Sequence, residues 1–368
     1  MKVIYLISRA ISSDGPVNQA LNILTGLNRI SGVEAILVTL SPELENKSWL
    51  WKFINNGIEV FQLNQPPKNL YKCISILRSY IRDNRVDIVH SSGYRADFVN
   101  MHLRNCVTTI STQRSNPKEC AEEFPKLLHP IINRFHVHII KKLHSRVACS
   151  RSLQKIFRDE EGIDIDCVQN AVNTEYFKPL DSLAKTKLRA ELELPISERI
   201  FLVLGSLLPR KNNKVIIQAF NDAKISSSKL IFVGSGSEEC YLKDLAGTNP
   251  NIIFVGVTNN PLKYLQTADI LVSSSLAEGL PNTVLEALSC GLPAILSNIN
   301  PHKELINQPC TGFFFESSSV VDLTAIFKES TNWDIAQMSK NARNTAENKF
   351  STSILANNYL SIYRKYLK

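Results

Sequence analysis

Short apolar runs alternate with helical segments along the whole chain, and this alternation constrains the fold more than any other feature. Segments with apolar residues at helical spacing, such as 17–30 and 70–83, separate the runs. The runs predicted as strands are residues 2–7, 33–40, 86–90, 107–111, 146–149, 200–205, 229–233, 252–255, 269–273 and 293–297. Such an alternation is typical of parallel sheets with helices on both faces, so we predict an α/β fold.

The strands and helices form two series, which are separated near residues 179–182. A chain of 368 residues is long enough for two domains with separate cores. We therefore predict two Rossmann-like, doubly wound domains, residues 1–179 and 180–349, that face each other across a cleft. Residues 350–368 have the pattern of a final amphipathic helix.

The composition is that of a soluble globular protein, with 44% hydrophobic and 21% charged residues. Because no run of eighteen apolar residues occurs, we expect no transmembrane helix. The apolar start, residues 1–8, is too short for a signal peptide and is predicted as the first buried strand. The eight cysteines are scattered without a Cys-x-x-Cys pair, which favours reduced thiols in the cytoplasm over disulfides or zinc.

The net charge of +8 is concentrated in the first half of the chain, where residues 1–180 carry 23 basic and 17 acidic side chains. Residues 126–158 contain no acidic residue, and apolar residues are interleaved with the basic ones. The basic residues are Lys126, Arg134, Lys141, Lys142, Arg146, Arg151, Lys155 and Arg158. This pattern favours a basic amphipathic helix that docks on an anionic membrane surface, and an ordinary surface helix is the alternative. Nucleic acid is not expected as a partner, because aromatic interleaving and a known binding motif are absent.

Two glutamates eight residues apart, Glu278 and Glu286, flank a Gly-Leu-Pro-Asn loop that follows a predicted strand. The order is strand, polar loop, helix, and Asn282 or Thr283 can cap that helix. A helix N-terminus at the carboxyl end of a parallel strand is suited to phosphate binding. The arrangement therefore suits a nucleotide-sugar diphosphate, with amides for the phosphates and carboxylates for hydroxyls. On spacing alone, the alternative is that Glu278 is a solvated loop residue and that Glu286 is a favourable charge near a helix N-terminus.

Other strand ends carry further candidates for a ligand site. Arg210 and Lys211 lie in a loop that follows a strand and a glycine, and two adjacent cations suit a diphosphate. Gly256 and Val257 form another turn after a strand. Gly15 follows the first strand, where a glycine lets the backbone approach a ligand closely, although an ordinary turn is the alternative.

Residues 278–294 closely resemble the signature of the retaining glycosyltransferases of family four, which have the GT-B fold. The resembling sequence is Glu-Gly-Leu-Pro-Asn followed by Leu-Glu-Ala-Leu-Ser-Cys-Gly-Leu-Pro-Ala. The resemblance is strong over residues 200–305 and weaker over the first domain. Residues 170–179 resemble the family's domain-junction segment, with Ala171 and Asn173 in place of its glycine and aspartate.

The resemblance implies roles for these residues. Glu278 and the amides that follow it would orient the donor sugar, Glu286 would bind the ribose, and Lys211 would stabilise the leaving diphosphate, so these three are the catalytic candidates. The implied donor-binding residues are Gly15, Ser206, Arg210, Lys211, Gly256, Val257, Glu278, Gly279, Leu280, Pro281, Asn282, Thr283 and Glu286. The last helix would cross back to the first domain. The partners would be the nucleotide-sugar donor and a glycan or lipid-linked acceptor, and no cofactor would be needed.

Two positions of the candidate site also depart from the family pattern. Ser206 occupies the position of the family's usual arginine, and Arg114 stands where many members have a histidine near the transferred sugar. An arginine cannot act as a base but can bind an anionic acceptor or a phosphate. Arg114 and His90, which ends a predicted strand at the ligand-binding edge of the sheet, are therefore the acceptor-side candidates.

We expect no metal site. Asp164 and Asp166 have the Asp-x-Asp form used by metal-dependent glycosyltransferases of another fold, but no second ligand cluster follows. His136 and His138 have the wrong spacing for one face of a helix.

The sequence thus predicts a cytoplasmic retaining glycosyltransferase that moves a hexose or N-acetylhexosamine from a nucleotide diphosphate sugar, with UDP favoured. The favoured acceptor is a lipid-linked intermediate of a surface polysaccharide such as O-antigen or capsule. Ser206 and Arg114 motivate the competing interpretation, a non-catalytic GT-B protein that binds a sugar nucleotide or supports a partner transferase. A sugar-nucleotide epimerase of the same fold is a third interpretation, which the two-glutamate loop does not support.

Overall fold

The computed structural model describes residues 1–11, 15–116 and 128–367. The chain divides into two compact units. Unit 1 comprises the residues up to Ala171 together with those from Thr352 onward, and unit 2 is Val172–Ser351. The first unit thus ends earlier than residue 179, where the sequence pattern changes. Gln19 and Asn22 donate side-chain hydrogen bonds to the Ala171 carbonyl, whereas the Val172 amide donates to Phe350 in unit 2.

Unit 1 contains a seven-stranded parallel sheet with the order β3-β2-β1-β4-β5-β6-β7. The strands are β1 Lys2–Ile7, β2 Glu34–Thr39, β3 Val60–Gln62, β4 Ile88–Ser91, β5 Thr108–Gln113, β6 Ser145–Ala148 and β7 Asp166–Cys167. The helices are α1 Gly15–Asn28, α2 Leu50–Asn55, α3 Leu70–Asn84, α4 Tyr94–Met101, α5 His129–Lys142 and α6 Arg151–Glu161. The strand order reverses between β1 and β4, which makes this point the topological switch point of the sheet.

Both faces of the unit 1 sheet are buried, as β1 shows most directly. Val3 and Tyr5 belong to one hydrophobic cluster, and Ile4 and Leu6 belong to another. Successive side chains of a strand point to opposite faces, so each cluster covers one face. This confirms the prediction of a doubly wound sheet in the first half of the chain.

Unit 2 contains a six-stranded parallel sheet with the order β10-β9-β8-β11-β12-β13. The strands are β8 Arg199–Leu204, β9 Ser228–Val233, β10 Ile252–Gly256, β11 Ile270–Ser273, β12 Ala294–Ser297 and β13 Gly312–Phe315. The helices are α7 Ser182–Glu191, α8 Lys214–Ala223, α9 Glu239–Ala246, α10 Pro261–Thr267, α11 Asn282–Ser289, α12 Asn300–Lys303, α13 Val320–Glu329 and α14 Ile335–Phe350. The switch point of this sheet lies between β8 and β11.

The chain returns to unit 1 in its last helix, α15 Thr352–Tyr366, as the sequence predicted. The structure corrects the predicted start, because α14 ends at Phe350 and Ser351 separates the two helices. Helix α15 packs closely on α1 at Gly26, where a Cβ would lie 2.7 Å from the Thr352 carbonyl oxygen. Only glycine permits this approach of the two helix backbones.

In the part of the chain that the structure describes, no helix is both long enough and apolar enough to span a bilayer.

Candidate functional site

The carboxyl ends of β8 and β11 border a pocket in unit 2. The residues that line it are Val203, Leu204, Gly205, Ser206, Lys211, Asn213, Leu271, Val272, Ser273, Ser275, Pro281, Thr283 and Val284. These two strands meet at the switch point of the sheet, which is where open α/β sheets bind ligands.

Glu278 lies beside the pocket and is held by two cations and a hydroxyl. Lys211 Nζ lies 2.5 Å from Glu278 Oε1, and Ser275 Oγ donates to the same oxygen at 2.8 Å. Arg210 approaches the other oxygen, Oε2, at 3.5 Å. Burial raises the pKa of Glu278, but the charge and hydrogen bond of Lys211, together with Arg210 and Ser275, hold the pKa below its usual value. Glu278 is therefore an ionised, oriented carboxylate at neutral pH.

Backbone contacts between two loops fix the position of Lys211. Ser274 Oγ donates to the carbonyl oxygens of Lys211 at 2.8 Å and Asn212 at 3.0 Å. The Leu276 amide donates to the Arg210 carbonyl at 2.9 Å. The basic loop after β8 and the loop after β11 thus form one hydrogen-bonded surface. The two loops bring together cations and a carboxylate that are more than sixty residues apart in sequence.

Helix α11 begins at the edge of this pocket, but its cap differs from the sequence prediction. Pro281 occupies the N-cap position, no side chain caps the helix, and Asn282 is the first helical residue. Neither Asn282 nor Thr283 therefore serves as the N-cap, because the helix starts one residue earlier than expected. The uncapped amide end carries the positive end of the helix dipole, which favours an anion nearby.

Glycines shape the turns beside the pocket. A Cβ at Gly234 would lie 1.9 Å from the Gly205 carbonyl oxygen, so the turns after β8 and β9 contact each other through backbone. The Gly234 amide also donates to the Gly256 carbonyl at 2.8 Å, so the turn after β10 contacts the turn after β9. Val257 follows that turn and is 74% exposed. Gly256 and Val257 therefore lie on a turn joined to the pocket wall at Gly205.

The structure places the sequence-predicted donor residues unequally around this pocket. Ser206, Lys211, Pro281 and Thr283 line it, and Glu278 contacts Lys211. Gly279 and the buried Leu280 lie in the same loop. Glu286 is half-buried in α11, one turn beyond Asn282, and is not among the lining residues. Gly15 is the first residue of α1 in unit 1.

Sequence analysis missed the residues that support Glu278. Ser275 donates to Glu278, and its own carbonyl accepts from Ser297 Oγ at 2.6 Å. His302 Nδ1 lies 2.9 Å from the Ser297 carbonyl oxygen. His302 is fully buried, and burial lowers its pKa to about 4, so Nδ1 donates from a neutral ring. The run of serines at the end of β11 was the only feature of the sequence that indicated these contacts.

His90 lies in the interior of unit 1. Its side chain is 0% exposed, with Nδ1 2.7 Å from the Tyr363 hydroxyl and Nε2 2.7 Å from Thr112 Oγ1. Burial, followed by the charge of Arg114, lowers the pKa of His90 well below its ordinary value. Because both ring nitrogens are occupied, we correct the acceptor-side prediction and assign this histidine a structural role.

Arg114 follows β5 and is half-buried. Its Nη1 donates to Asn170 Oδ1 at 2.7 Å, and its Nη2 donates to the Tyr5 hydroxyl at 3.1 Å. The Nε atom is buried without a hydrogen-bond partner among the described residues. The guanidinium is therefore held mainly by interior contacts of unit 1.

The basic segment, residues 126–158, is not one helix. Lys126 and Leu127 lie outside the described residues, and residues 129–158 contain α5, β6 and the first part of α6. Helix α5 buries Val137, Ile139 and Ile140 and exposes Arg134, Lys141 and Lys142. It also exposes two apolar side chains, Ile131 at 66% and Phe135 at 43%. The apolar residues of the segment are therefore divided between the core and the surface.

The described cysteines form no disulfide; Cys120 lies outside the described residues. Asp166 lies 3.4 Å from Lys365 Nζ, so part of the Asp-x-Asp pattern contacts a lysine. Within the described ranges, no group of three or more His, Cys, Asp or Glu side chains is arranged to hold a metal ion.

Sequence comparisons match both halves of the chain. The model of the family "Glycosyl transferases group 1" matches residues 184–348, and that of "Glycosyltransferase Family 4" matches residues 13–176. The UDP-Gal:alpha-D-GlcNAc-diphosphoundecaprenol alpha-1,3-galactosyltransferase of Escherichia coli is 31% identical over 360 residues, covering 90% of this chain and 92% of that protein. The O-antigen biosynthesis glycosyltransferase WclY of Escherichia coli is 22% identical and covers 92% of this chain and 96% of that protein.

Solved structures are similar over the whole chain. A glycosyltransferase from Rickettsia africae has a TM-score of 0.81 at 20% identity, covering 100% of this chain and 98% of that chain. Anabaena HepE in complex with UDP has a TM-score of 0.81 at 17% identity, covering 99% of this chain and 100% of that chain. These similarities confirm the α/β fold of the GT-B type that the sequence predicted.

Proposed function

Because the chain belongs to glycosyltransferase family four, we propose that it transfers a hexose or N-acetylhexosamine from a UDP-sugar to a lipid-linked glycan, with retention of configuration. The observation that carries the proposal is the Lys211–Glu278–Ser275 cluster beside the uncapped N-terminus of α11. This cluster combines cations, an ionised carboxylate and helix amides at one sheet edge, as a nucleotide-sugar diphosphate requires.

Binding of the donor would exchange one anion for another at Lys211. Lys211 is paired with Glu278, whose side chain is 11% exposed. A diphosphate near the α11 terminus would attract Lys211 and release part of the Glu278 carboxylate for the hydroxyls of the sugar. Lys211 would then stabilise the charge that develops on the leaving UDP.

Ser206 occupies the position of the family's usual arginine, and Arg210 is the candidate to supply that positive charge. Its side chain is 52% exposed, and its distance of 3.5 Å from Glu278 makes a weak pair. It can therefore turn toward a phosphate without a large loss of contacts. This scheme supplies the positive charge from protein groups, and we propose that the reaction needs no metal or other cofactor.

We infer the UDP donor and the lipid-linked acceptor from the relatives. The Escherichia coli galactosyltransferase is named for UDP-galactose and a diphosphoundecaprenol acceptor, and the HepE structure contains UDP. The sugar and the linkage in these names are those of the relatives.

We also propose that the protein is cytoplasmic and docks on anionic membrane through α5. Arg134, Lys141 and Lys142 are exposed on this helix, and each contributes about 1 kcal/mol near an anionic surface. Ile131 and Phe135 are exposed apolar residues of the same helix. Co-sedimentation with anionic and neutral vesicles at two salt concentrations tests this. Binding should require anionic lipid, weaken with salt and fall in Lys141→Glu, but not in the exposed unit 2 control Lys214→Glu. Equal sedimentation with both lipids would contradict docking.

The transfer proposal is tested by incubating the protein with a panel of nucleotide sugars, with and without a GlcNAc-diphosphate-lipid acceptor and with and without EDTA. We expect acceptor-dependent release of UDP that is insensitive to EDTA, and an NMR spectrum of the product that shows the donor's anomeric configuration. Binding of UDP without any release would favour the non-catalytic alternative, which the Ser206 position in the pocket wall motivates.

A further inference from the structure

Three neighbouring strands of unit 1 end at one cationic surface, at the switch point of the sheet. Ser8 and Arg9 follow β1, Ser41 and Pro42 follow β2, and Arg95 follows β4 in the first turn of α4. The strands lie side by side in the order β2-β1-β4. The crevice at such a switch point is where open parallel sheets bind ligands.

Arg95, which follows β4, is held in place by hydrogen bonds to the ends of β1 and β2 and to the loop after β3. Its Nη1 donates to Ser8 Oγ at 3.3 Å and to Ser41 Oγ at 3.1 Å, and its Nη2 donates to the Pro67 carbonyl at 3.0 Å. Burial, then the nearby charge of Arg9, lowers the pKa of Arg95. Arg9 donates to the Pro42 carbonyl and Arg95 to the Ser41 hydroxyl, so the two guanidinium groups contact neighbouring residues of the same loop.

Arg9 has unused donors. Its Nε donates to the Pro42 carbonyl at 2.8 Å, and its two terminal nitrogens have no hydrogen-bond partner among the described residues. A guanidinium that is anchored at Nε and open at both terminal nitrogens can bind a phosphate in bidentate fashion.

Neither arginine forms an ion pair with a described carboxylate. Glu43 is the nearest acidic residue along the chain to Pro42, and both of its oxygens accept from the Ala10 amide at 3.1 Å rather than from a guanidinium. Asp97 is fully buried and accepts from Ser91 and Ser111. Helix α4 adds positive potential, because its N-cap is Gly93 at φ 98° and no side chain caps it.

A helix with two exposed apolar side chains, α2, starts beside this cationic surface. The Trp49 amide donates to the Ala10 carbonyl at 2.7 Å, which fixes the start of α2 beside Arg9. On α2, Trp51 is 56% exposed and Ile54 is 60% exposed, and their spacing places them on one face. A cationic surface next to exposed apolar side chains suits an amphiphilic anion.

We propose that Arg9 and Arg95 bind the diphosphate of a polyprenyl-diphosphate acceptor, with the first isoprene units against Trp51 and Ile54. This inference rests on the proposed function and specifies where its acceptor binds. A free diphosphate would use the same arginines but not the apolar face.

The test uses geranyl diphosphate and inorganic pyrophosphate as probes, titrated calorimetrically into the full chain that is already saturated with UDP. Saturation with UDP removes the diphosphate site of unit 2 from the measurement. We expect geranyl diphosphate to bind more tightly than pyrophosphate. Arg9→Ala should weaken geranyl diphosphate binding about ten-fold or more, because a charge-assisted contact is lost. Trp51→Ala should weaken geranyl diphosphate alone.

Arg104→Ala is the matched control, since this exposed arginine of unit 1 lies after α4 and has no side-chain contact among the described residues. Arg95→Lys keeps the charge and serves as a second variant, because loss of the Arg95 hydrogen bonds can disturb folding. Unchanged geranyl diphosphate affinity in both Arg9→Ala and Arg95→Lys overturns the inference, as does absence of binding to the UDP-saturated wild type. Equal affinity for pyrophosphate overturns the polyprenyl assignment. Failure of UDP release in the transfer assay contradicts the proposed function without changing these titrations, which need no turnover.

Discussion

Replacing Lys211 with alanine tests two contributions of this side chain, one to catalysis and one to the stability of the fold at the pocket. The change removes the cation nearest to Glu278 and leaves a carboxylate that is 11% exposed with Ser275 and a distant Arg210. Breaking a fully buried pair costs about 3–5 kcal/mol. Because Lys211 is 20% exposed and Arg210 remains, we expect a loss of only about 1–3 kcal/mol of unfolding free energy. The loss of charge stabilisation on the leaving diphosphate should lower kcat about 10²-fold or more.

The same variant changes the pH dependence of stability. The pKa of Glu278 is depressed in the folded protein, so its ionised form stabilises the fold above the unfolded pKa, and this stability is lost as the pH falls through the folded pKa. Without Lys211, the main group that lowers the pKa of Glu278 is lost, and the folded pKa moves up toward the unfolded value. Protonation of Glu278 then removes less stability, so the unfolding free energy measured in urea should fall less steeply on acidification in Lys211→Ala than in the wild type.

Lys214→Ala is the control for both measurements, since Lys214 is exposed at the start of α8. It should leave kcat and the pH dependence of the unfolding free energy unchanged. Glu278→Gln in the Lys211→Ala background should recover part of the stability, because the unpaired charge is removed. A Lys211→Ala protein with a wild-type kcat and an unchanged pH dependence of the unfolding free energy would refute the reasoning.

Three further predictions concern single residues. Gly234→Ala should cost about 2 kcal/mol or more of unfolding free energy in urea titrations, because the new Cβ would meet the Gly205 carbonyl and the backbone φ is 135°; a neutral effect would contradict the close turn. Glu286→Ala should weaken UDP affinity in calorimetry by roughly 1.5–3 kcal/mol if it binds the ribose, and unchanged affinity in the folded variant would remove that role. Tyr363→Phe should cost about 1–3 kcal/mol in urea titrations, because it leaves Nδ1 of the buried His90 without its hydroxyl partner, and a cost near zero would show that the bond is dispensable.

The central strands were predictable from sequence, but three edge strands were not among the predicted runs. Strands such as β1 and β8 are buried on both faces and appear as continuous apolar runs. The runs omitted β3, β7 and β13, which are edge strands of the two sheets. Strand β3 has only three residues and none is fully buried, so its sequence does not differ from that of a loop.

Local patterns located the loops of the candidate site but not the contacts between them. Glu278 and Lys211 were predicted as site residues, yet their ion pair joins loops that are 67 residues apart, and the donation by Ser275 follows from how β11 ends. His90 was misassigned for the same reason. Its partner Tyr363 is 273 residues away on the helix that returns to unit 1. A sequence window contains no signal for such a pairing.

The two candidate diphosphate sites follow one topological rule but differ in how their charge is balanced. Each lies at the switch point of its own sheet, between β8 and β11 in unit 2 and between β1 and β4 in unit 1. In unit 2 the cation Lys211 is already paired with Glu278, so a diphosphate must compete with a carboxylate, and the released carboxylate can then bind hydroxyls. In unit 1 the terminal nitrogens of Arg9 have no partner among the described residues, so a diphosphate gains their full charge. The first arrangement favours an anion that carries a sugar, and the second favours an anion whose remaining part is apolar.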